Sequence, residues 1–267
     1  MKYFVLSSGS KGNSTALVND KNEILLIDCG LSLNELNKRL SQAHLSFQQI
    51  KAVIITHLHK DHCVCLRAFD KEMIYAHVDS QLDLLVDHQL HDYENIDILG
   101  FHLLVLPMSH DIEGTIGFLI DYQNEKMAYI TDTGYVHVQI QRLMNNCHYY
   151  LIESNHDPRM LMLSHRPMYL KQRILSIKGH LSNQDCCVTL SNVMGPNTKE
   201  ICFLHRSLET NTEELIIQTF YTVMKHREID VSHIILKIAK QDRCLEGEEI
   251  YEPVSYTHLT LPTILRV

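Results

Sequence analysis

The sequence predicts an α/β layered sandwich. Short β-type apolar runs recur along most of the chain, and amphipathic helical patterns separate several of them. No internal repeat, low-complexity tract or linker interrupts the series. With 267 residues and 45% hydrophobic content, the chain has enough apolar material for a large core.

The β-type runs lie at 3–6, 16–19, 23–28, 52–56, 73–76, 101–107, 116–122, 126–131, 149–153, 200–204 and 233–238. The first, "YFVL", follows one lysine and is too short for a signal-peptide core, so the N-terminus reads as a strand. "SLNELNKRLSQA" opens with Ser32 and Glu35 in capping-box spacing and sets Leu33, Leu36, Leu40 and Ala43 on one helical face. "SNQDCCVTLSNVM" starts a second helix with Ser182 as N-cap. "NTEELIIQTFYTVMKHRE" starts a third, with Asn211 as N-cap and Glu214 three residues later. Residues 1–253 are expected to form one domain. The stretch "VSYTHLTLPT" from Val254 back-translates into a transposon-end adapter of the kind used in sequencing libraries. Residues 254–267 are therefore read as an adapter-derived tail and set aside, His258 with them.

Composition narrows the function. No run of 18 apolar residues is present, so no membrane span is expected. The eight cysteines form no C-x-x-C pair, which suits reduced thiols in a cytoplasmic protein. A net charge of -8 argues against a broad nucleic-acid-binding face but allows a local basic channel. Residues 158–184 contain no Asp or Glu and hold Arg159, Arg166, Lys171, Arg173 and Lys178, which suits an anionic substrate such as DNA.

The functional signal is "ITHLHKDHC", from Ile55. His57, His59, Asp61 and His62 crowd into six residues directly after an apolar strand, and imidazole and carboxylate together suit Zn or Mn. His110, Asp132 and His205 each follow a strand of their own, on the loop just beyond, where scaffolds carry functional groups. In extended chain, His57 and His59 face the same way and can clasp one ion with His110. Asp61, His62 and His205 can face a second, with Asp132 between the two. Such a pair of divalent ions lies about 3.5–4 Å apart and stabilises an anionic transition state. Asp28, also at a strand end, is expected to orient the ligands through hydrogen bonds. His180 precedes the helix cap Ser182, where an imidazole could protonate a leaving group.

The order T-H-x-H-x-D-H (56–62), His110, Asp132 and His205 resembles the metallo-β-lactamase fold superfamily. Three more stretches resemble its YycJ/WalJ (VicX) branch: "SSGSKGNST" from Ser7, "IESNHDPRML" from Ile152 and "KGHLSNQD" from Lys178. The last is also similar to the catalytic-histidine motif of tRNA 3′-processing endonucleases. "HRSLETNT" from His205 matches the branch's H-L-S-E-E-N-N-T at His205, Ser207, Glu209, Asn211 and Thr212, and departs at Arg206, Leu208 and Thr210.

The resemblance implies a four-layer αββα sandwich with a dinuclear site at one edge of the two sheets. It also implies a bacterial, cytosolic protein with DNA exonuclease activity. Asp61 and His180 are then expected to take part in the chemistry, and Asn13, Ser182, Asn183, Ser207 and Asn211 to contact substrate. A glyoxalase II-type thioesterase or a lactonase would share the metal motif but gives no reason for "KGHLSN". A non-catalytic regulatory member would have no physical need to keep all seven ligands.

Overall fold

The computed structural model describes residues 1–82 and 86–245; the tail at 254–267 and His258 lie outside the described residues. Thirteen strands among these form two mixed sheets. The first holds β1 (Lys2–Ser7), β2 (Ser14–Val18), β3 (Ile24–Ile27), β4 (Ile50–Ile55), β5 (Ile74–His77) and β6 (His88–Leu90), side by side in chain order. The second holds β7 (Asn95–Ile98), β8 (Phe101–Pro107), β9 (Ile116–Tyr122), β10 (Glu125–Ile130), β11 (Tyr149–Glu153), β12 (Glu200–Leu204) and β13 (Ile235–Ile238), also side by side in chain order. Hairpin neighbours are antiparallel, while β3 to β6 and β10 to β13 run parallel.

Period-two alternation makes each sheet apolar on both faces. In β3, Leu25 and Ile27 point into the cluster between the sheets, and Ile24 and Leu26 into the one on the outer face. In β11, Leu151 joins the inter-sheet cluster, while Tyr150 and Ile152 face outward. Helix α1 (Leu33–Gln42) covers the first sheet with Leu36 and Leu40. The second sheet is covered by α3 (Val138–Leu143), α6 (Asn183–Val193) and α7 (Glu213–His226). Three apolar interfaces therefore separate four layers, and the αββα sandwich is the observed architecture.

Local signals account for most element ends. Ser32 caps α1 by accepting from the Glu35 N–H, and Ser182 caps α6 by accepting from the Asp185 N–H. The cap of α7 is Thr212, which accepts from the Leu215 N–H, and not Asn211. The Asn211 amide is already bonded to Asn183 and to the Ser154 carbonyl, so it is not free to cap. Strands β6 and β7 escape a reading by apolar runs because "HQL" and "NIDI" are short and largely polar edge segments. The short helices α2 (Lys60–Cys63), α3, α4 (Pro158–Leu163) and α5 (Met168–Leu175) also lack a strong periodic stripe. All eight cysteines are free thiols, and among the described residues no helix is long and apolar enough to cross a membrane.

Phe220 of α7 is fully buried and meets Phe203 of β12 edge-on, with ring centroids 5.9 Å apart. Phe220→Ala should therefore cost about 3–5 kcal/mol in urea unfolding. Leu163→Ser, at a side chain 76% exposed, should stay within about 0.5 kcal/mol of wild type. Equal stabilities for the two variants would contradict this packing.

Candidate metal centre

The site lies at the C-terminal ends of the parallel strands. Register aligns these ends in pairs: Ile27 beside Ile54, Ile130 beside Ile152, and Glu153 beside Leu204. Within two residues beyond the strand ends lie Asp28, His57, Asp132 and His205. Asp28, Asp132 and His205 all take left-handed backbone, with φ of 62°, 49° and 51°. That conformation costs a non-glycine residue roughly 1–3 kcal/mol, and it turns each side chain back over the sheet edge. Gly30 permits the tight stacking of the surrounding loops: a Cβ there would sit 1.7 Å from the Asp61 carbonyl oxygen. The adjacent Asn13 N–H donates to that same oxygen at 2.8 Å.

All seven predicted ligands converge. His57 Nε2 and His110 Nε2 approach His59 Nδ1 to 3.1 and 3.2 Å. Nitrogens about 2.0–2.1 Å from a tetrahedral ion would stand roughly 3.3 Å apart, so the trio has the spacing of a metal clasp. Asp61, His62 and His205 form a second trio, with Asp61 Oδ2 at 3.7 Å from the Nε2 atoms of both histidines. Asp132 lies between the groups: Oδ2 is 3.3 Å from His62 Nε2, and Oδ1 is 3.1 Å from His205 Nδ1.

Neighbouring acceptors set the ring orientations. His62 Nδ1 donates to Asp28 Oδ2 at 2.7 Å, and Asp28 also accepts from the Thr56 N–H and hydroxyl. His110 Nδ1 donates to the Gly179 carbonyl at 3.0 Å. His205 Nδ1 and His180 Nδ1 both donate to Glu153 Oε1, each at 2.8 Å. For His62, His110 and His205 the other ring nitrogen is left to bind a metal ion, as in metal sites whose imidazoles are held from behind.

Electrostatics divides the histidines. Burial depresses His57, His59 and His110 below the usual imidazole range, so these three are neutral donors at pH 7. Burial also works against charge on His62 and His205, but carboxylates outweigh it. Asp28 and Asp132 raise His62 to about 10, and Asp132, Asp61 and Glu153 raise His205. Protons on these two rings balance the buried carboxylates when no cation does.

Glu153 is a site residue that a search for ligand motifs passes over. It is fully buried and accepts from four donors: His180, His205, and the Thr133 and Leu181 N–H groups. Burial opposes its charge, yet His180 and His205 hold its carboxyl down to about 2. Its sequence signal is the one shared by the other site residues, a charged side chain ending an apolar strand, "YYLIE".

The expected substrate contacts divide. Asn13 sits at the site edge, its Nδ2 at 2.9 Å from His62 Nε2 and 3.3 Å from Asp61 Oδ2. Ser207 lines a cavity of about 130 Å³ beside His180 and His205. Ser182, Asn183 and Asn211 are buried among protein partners, Ser182 capping α6 and the two amides bonded to each other. The basic segment also divides. Lys171 is buried and donates to the Met162 and Ser164 carbonyls, closing the end of α4, and Arg159 lines a different cavity. Arg166 and Arg173 line the cavity beside His180, and Lys178 lines the neighbouring one of about 530 Å³. A further cavity of about 830 Å³ includes none of the candidate ligands.

Glu153→Gln should cost about 3–5 kcal/mol at pH 7, because it leaves two histidine donors facing an uncharged amide. The folded carboxyl titrates below its ordinary 4.5, so its contribution is complete above that pH and is lost as pH falls towards about 2. The difference between variant and wild type in urea unfolding should shrink over that window; a constant difference would contradict the assignment.

Known proteins share both sequence and fold with this chain. The family profile described as a beta-lactamase superfamily domain matches residues 24–205. The Bacillus anthracis protein named exodeoxyribonuclease YycJ is 30% identical over 244 residues, covering 86% of this chain and 92% of the relative. The Streptococcus pneumoniae protein named exodeoxyribonuclease WalJ is 32% identical over 250 residues, covering 86% and 90%. The crystal structure of the metallo-β-lactamase fold protein YhfI from Bacillus subtilis superposes with a TM-score of 0.68 at 15% identity, over 92% of this chain and 98% of that one. The chain therefore belongs to the metallo-β-lactamase fold superfamily, in the branch of YycJ and WalJ.

Proposed function

We propose that the protein is a metal-dependent phosphodiesterase, a nuclease acting as an exonuclease on DNA. The observation that carries this reading is the His180–Glu153 pair standing against the two ligand trios. A thioesterase or a lactonase has no evident use for that pair. The two relatives named exodeoxyribonucleases support the choice of DNA.

The donor set suits two zinc or manganese ions, held by His57, His59 and His110 on one side and Asp61, His62 and His205 on the other, with Asp132 between. Such ions would supply an activated water nucleophile and neutralise charge on the phosphate. The chain's own groups do the rest. Asp28 and Glu153 fix the imidazoles from behind. Asp61 presents a carboxylate, 24% exposed, at the cleft side of the second trio. His180 keeps its Nδ1 proton on Glu153, which leaves Nε2 to deliver a proton to the departing oxygen.

Purified protein loaded with Mn or Zn should degrade linear double-stranded DNA. His59→Ala should abolish this, and His180→Ala should lower kcat by roughly 100-fold or more, the contribution of a general acid. Absence of cleavage of DNA and RNA by metal-loaded protein, with hydrolysis of a thioester or lactone, would overturn the reading. Ion uptake at Asp61, His62 and His205 should also expel protons, since neighbouring carboxylates raise His62 to about 10 and raise His205 above the usual imidazole range. Affinity there should tighten as pH rises from 7, and calorimetry in buffers of different ionisation enthalpy should register the released protons. Uptake with no proton release would contradict the second trio.

A further inference from the structure

We propose that Arg166, Arg173 and Arg206 form a subsite for a second phosphate of the substrate strand, the one next to the phosphate being cleaved. The inference rests on the nuclease reading and deepens it. All three arginines line one cavity of about 130 Å³, together with His180, His205 and Ser207. The cavity thus shares a wall with the candidate general acid and with one candidate metal ligand. In a chain of net charge -8, three guanidinium groups around one small space are a local concentration of cationic donors.

Each guanidinium is held in place and still has donors to offer. Arg166 donates through Nε to Glu209 at 2.9 Å and reaches Ser207 Oγ through Nη2 at 3.5 Å. Arg206 donates through Nη1 to the Asn211 carbonyl and through Nη2 to Glu213, both at 3.3 Å. Arg173 pairs through Nε with Asp111. A guanidinium carries five N–H donors, so each keeps several uncommitted. Arg206 is the most telling. Its side chain is only 13% exposed, and its Nε is buried with no hydrogen-bond partner. A buried unmatched donor of this kind is costly, and it marks Arg206 as a cation whose hydrogen bonding the protein leaves incomplete.

The charge inventory of the cavity points to an anion. Among the described residues Asp111 is the one carboxylate that lines it; Glu209 and Glu213 hold their arginines from outside the lining. Asp111 also lies 3.4 Å from His59 Nε2 and from His110 Nε2, so it is shared with the first trio. Fork-shaped guanidinium groups lining one small cavity match the oxygens of a phosphate better than a single carboxylate or a neutral sugar would. With the scissile phosphate at the ligand trios, this cavity beside His180 receives its neighbour along the strand.

The test uses the full chain with Mn and three short substrates: a dinucleotide with one internucleotide phosphate, the same dinucleotide with a 5′-terminal phosphate, and the same with a 3′-terminal phosphate. Wild type should prefer one phosphorylated form over the plain dinucleotide by about 10-fold or more in kcat/KM, carried mainly by KM. The preferred end identifies which neighbour the cavity takes. Arg206→Gln and Arg166→Gln should each bring that ratio down towards one. The ratio is taken within each variant, so a loss of folded protein cancels. A wild type that cleaves all three forms equally, or variants that keep the full preference, would overturn the subsite. A wild type that cleaves longer DNA but gains nothing from a second phosphate would overturn it while leaving the nuclease reading standing. No cleavage of any strand would overturn both.

Discussion

Two buried carboxylates, one beneath each half of the site, govern the geometry of everything above them. Asp28 directly follows β3 of the first sheet and fixes Thr56 and His62. Glu153 ends β11 in the second sheet and fixes His180 and His205. Neither has any exposed surface. A buried carboxylate is tolerable only when fully hydrogen-bonded and matched by positive charge, and both conditions are met here by the histidines themselves. Charge balance and ring orientation are thus one arrangement.

The same arrangement explains how imidazoles can crowd so closely. His57, His59 and His110 present neutral nitrogens to one another, a contact that favours a cation at its centre. His62 and His205 stand where carboxylates favour positive charge. The first trio is therefore ready to accept an ion without releasing a proton, and the second holds protons that an ion would replace. The fold contributes precision: the donors sit directly beyond strands locked in register, and left-handed backbone at Asp28, Asp132 and His205 is held by the surrounding sheet edge.

The cleft has two unlike sides. Beside His180 lies the small arginine-lined cavity, and across the Arg173–Asp111 pair lies a larger one lined by Tyr135, His137 and Lys178. Helix α5 and the loop that joins it to α4 supply Arg173 and Arg166 of the basic wall, and the loop after β12 supplies Arg206. Its shape depends on Lys171, a cation turned inward to close the end of α4. One sequence segment free of acids thus yields one structural lysine, one remote arginine and a set of groups at the cleft.

The sequence by itself determined eleven of the thirteen described strands, the layered class and the seven candidate ligands. Those features depend on local chemistry: apolar alternation marks a strand, and a histidine or aspartate just past its end is carried to the sheet edge whatever the rest of the chain does. Even the capping serines of α1 and α6 were legible for this reason. Tertiary structure alone decided the role of Glu153, whose partners His180 and His205 lie 27 and 52 residues away. It also decided that Asn183 and Asn211 bond to each other, and so shifted the cap of α7 to Thr212. Among the arginines and lysines of residues 158–184, it decided which face the cleft. Each of these depends on which surfaces meet across long connections, and a residue's immediate neighbours in sequence carry no record of that meeting.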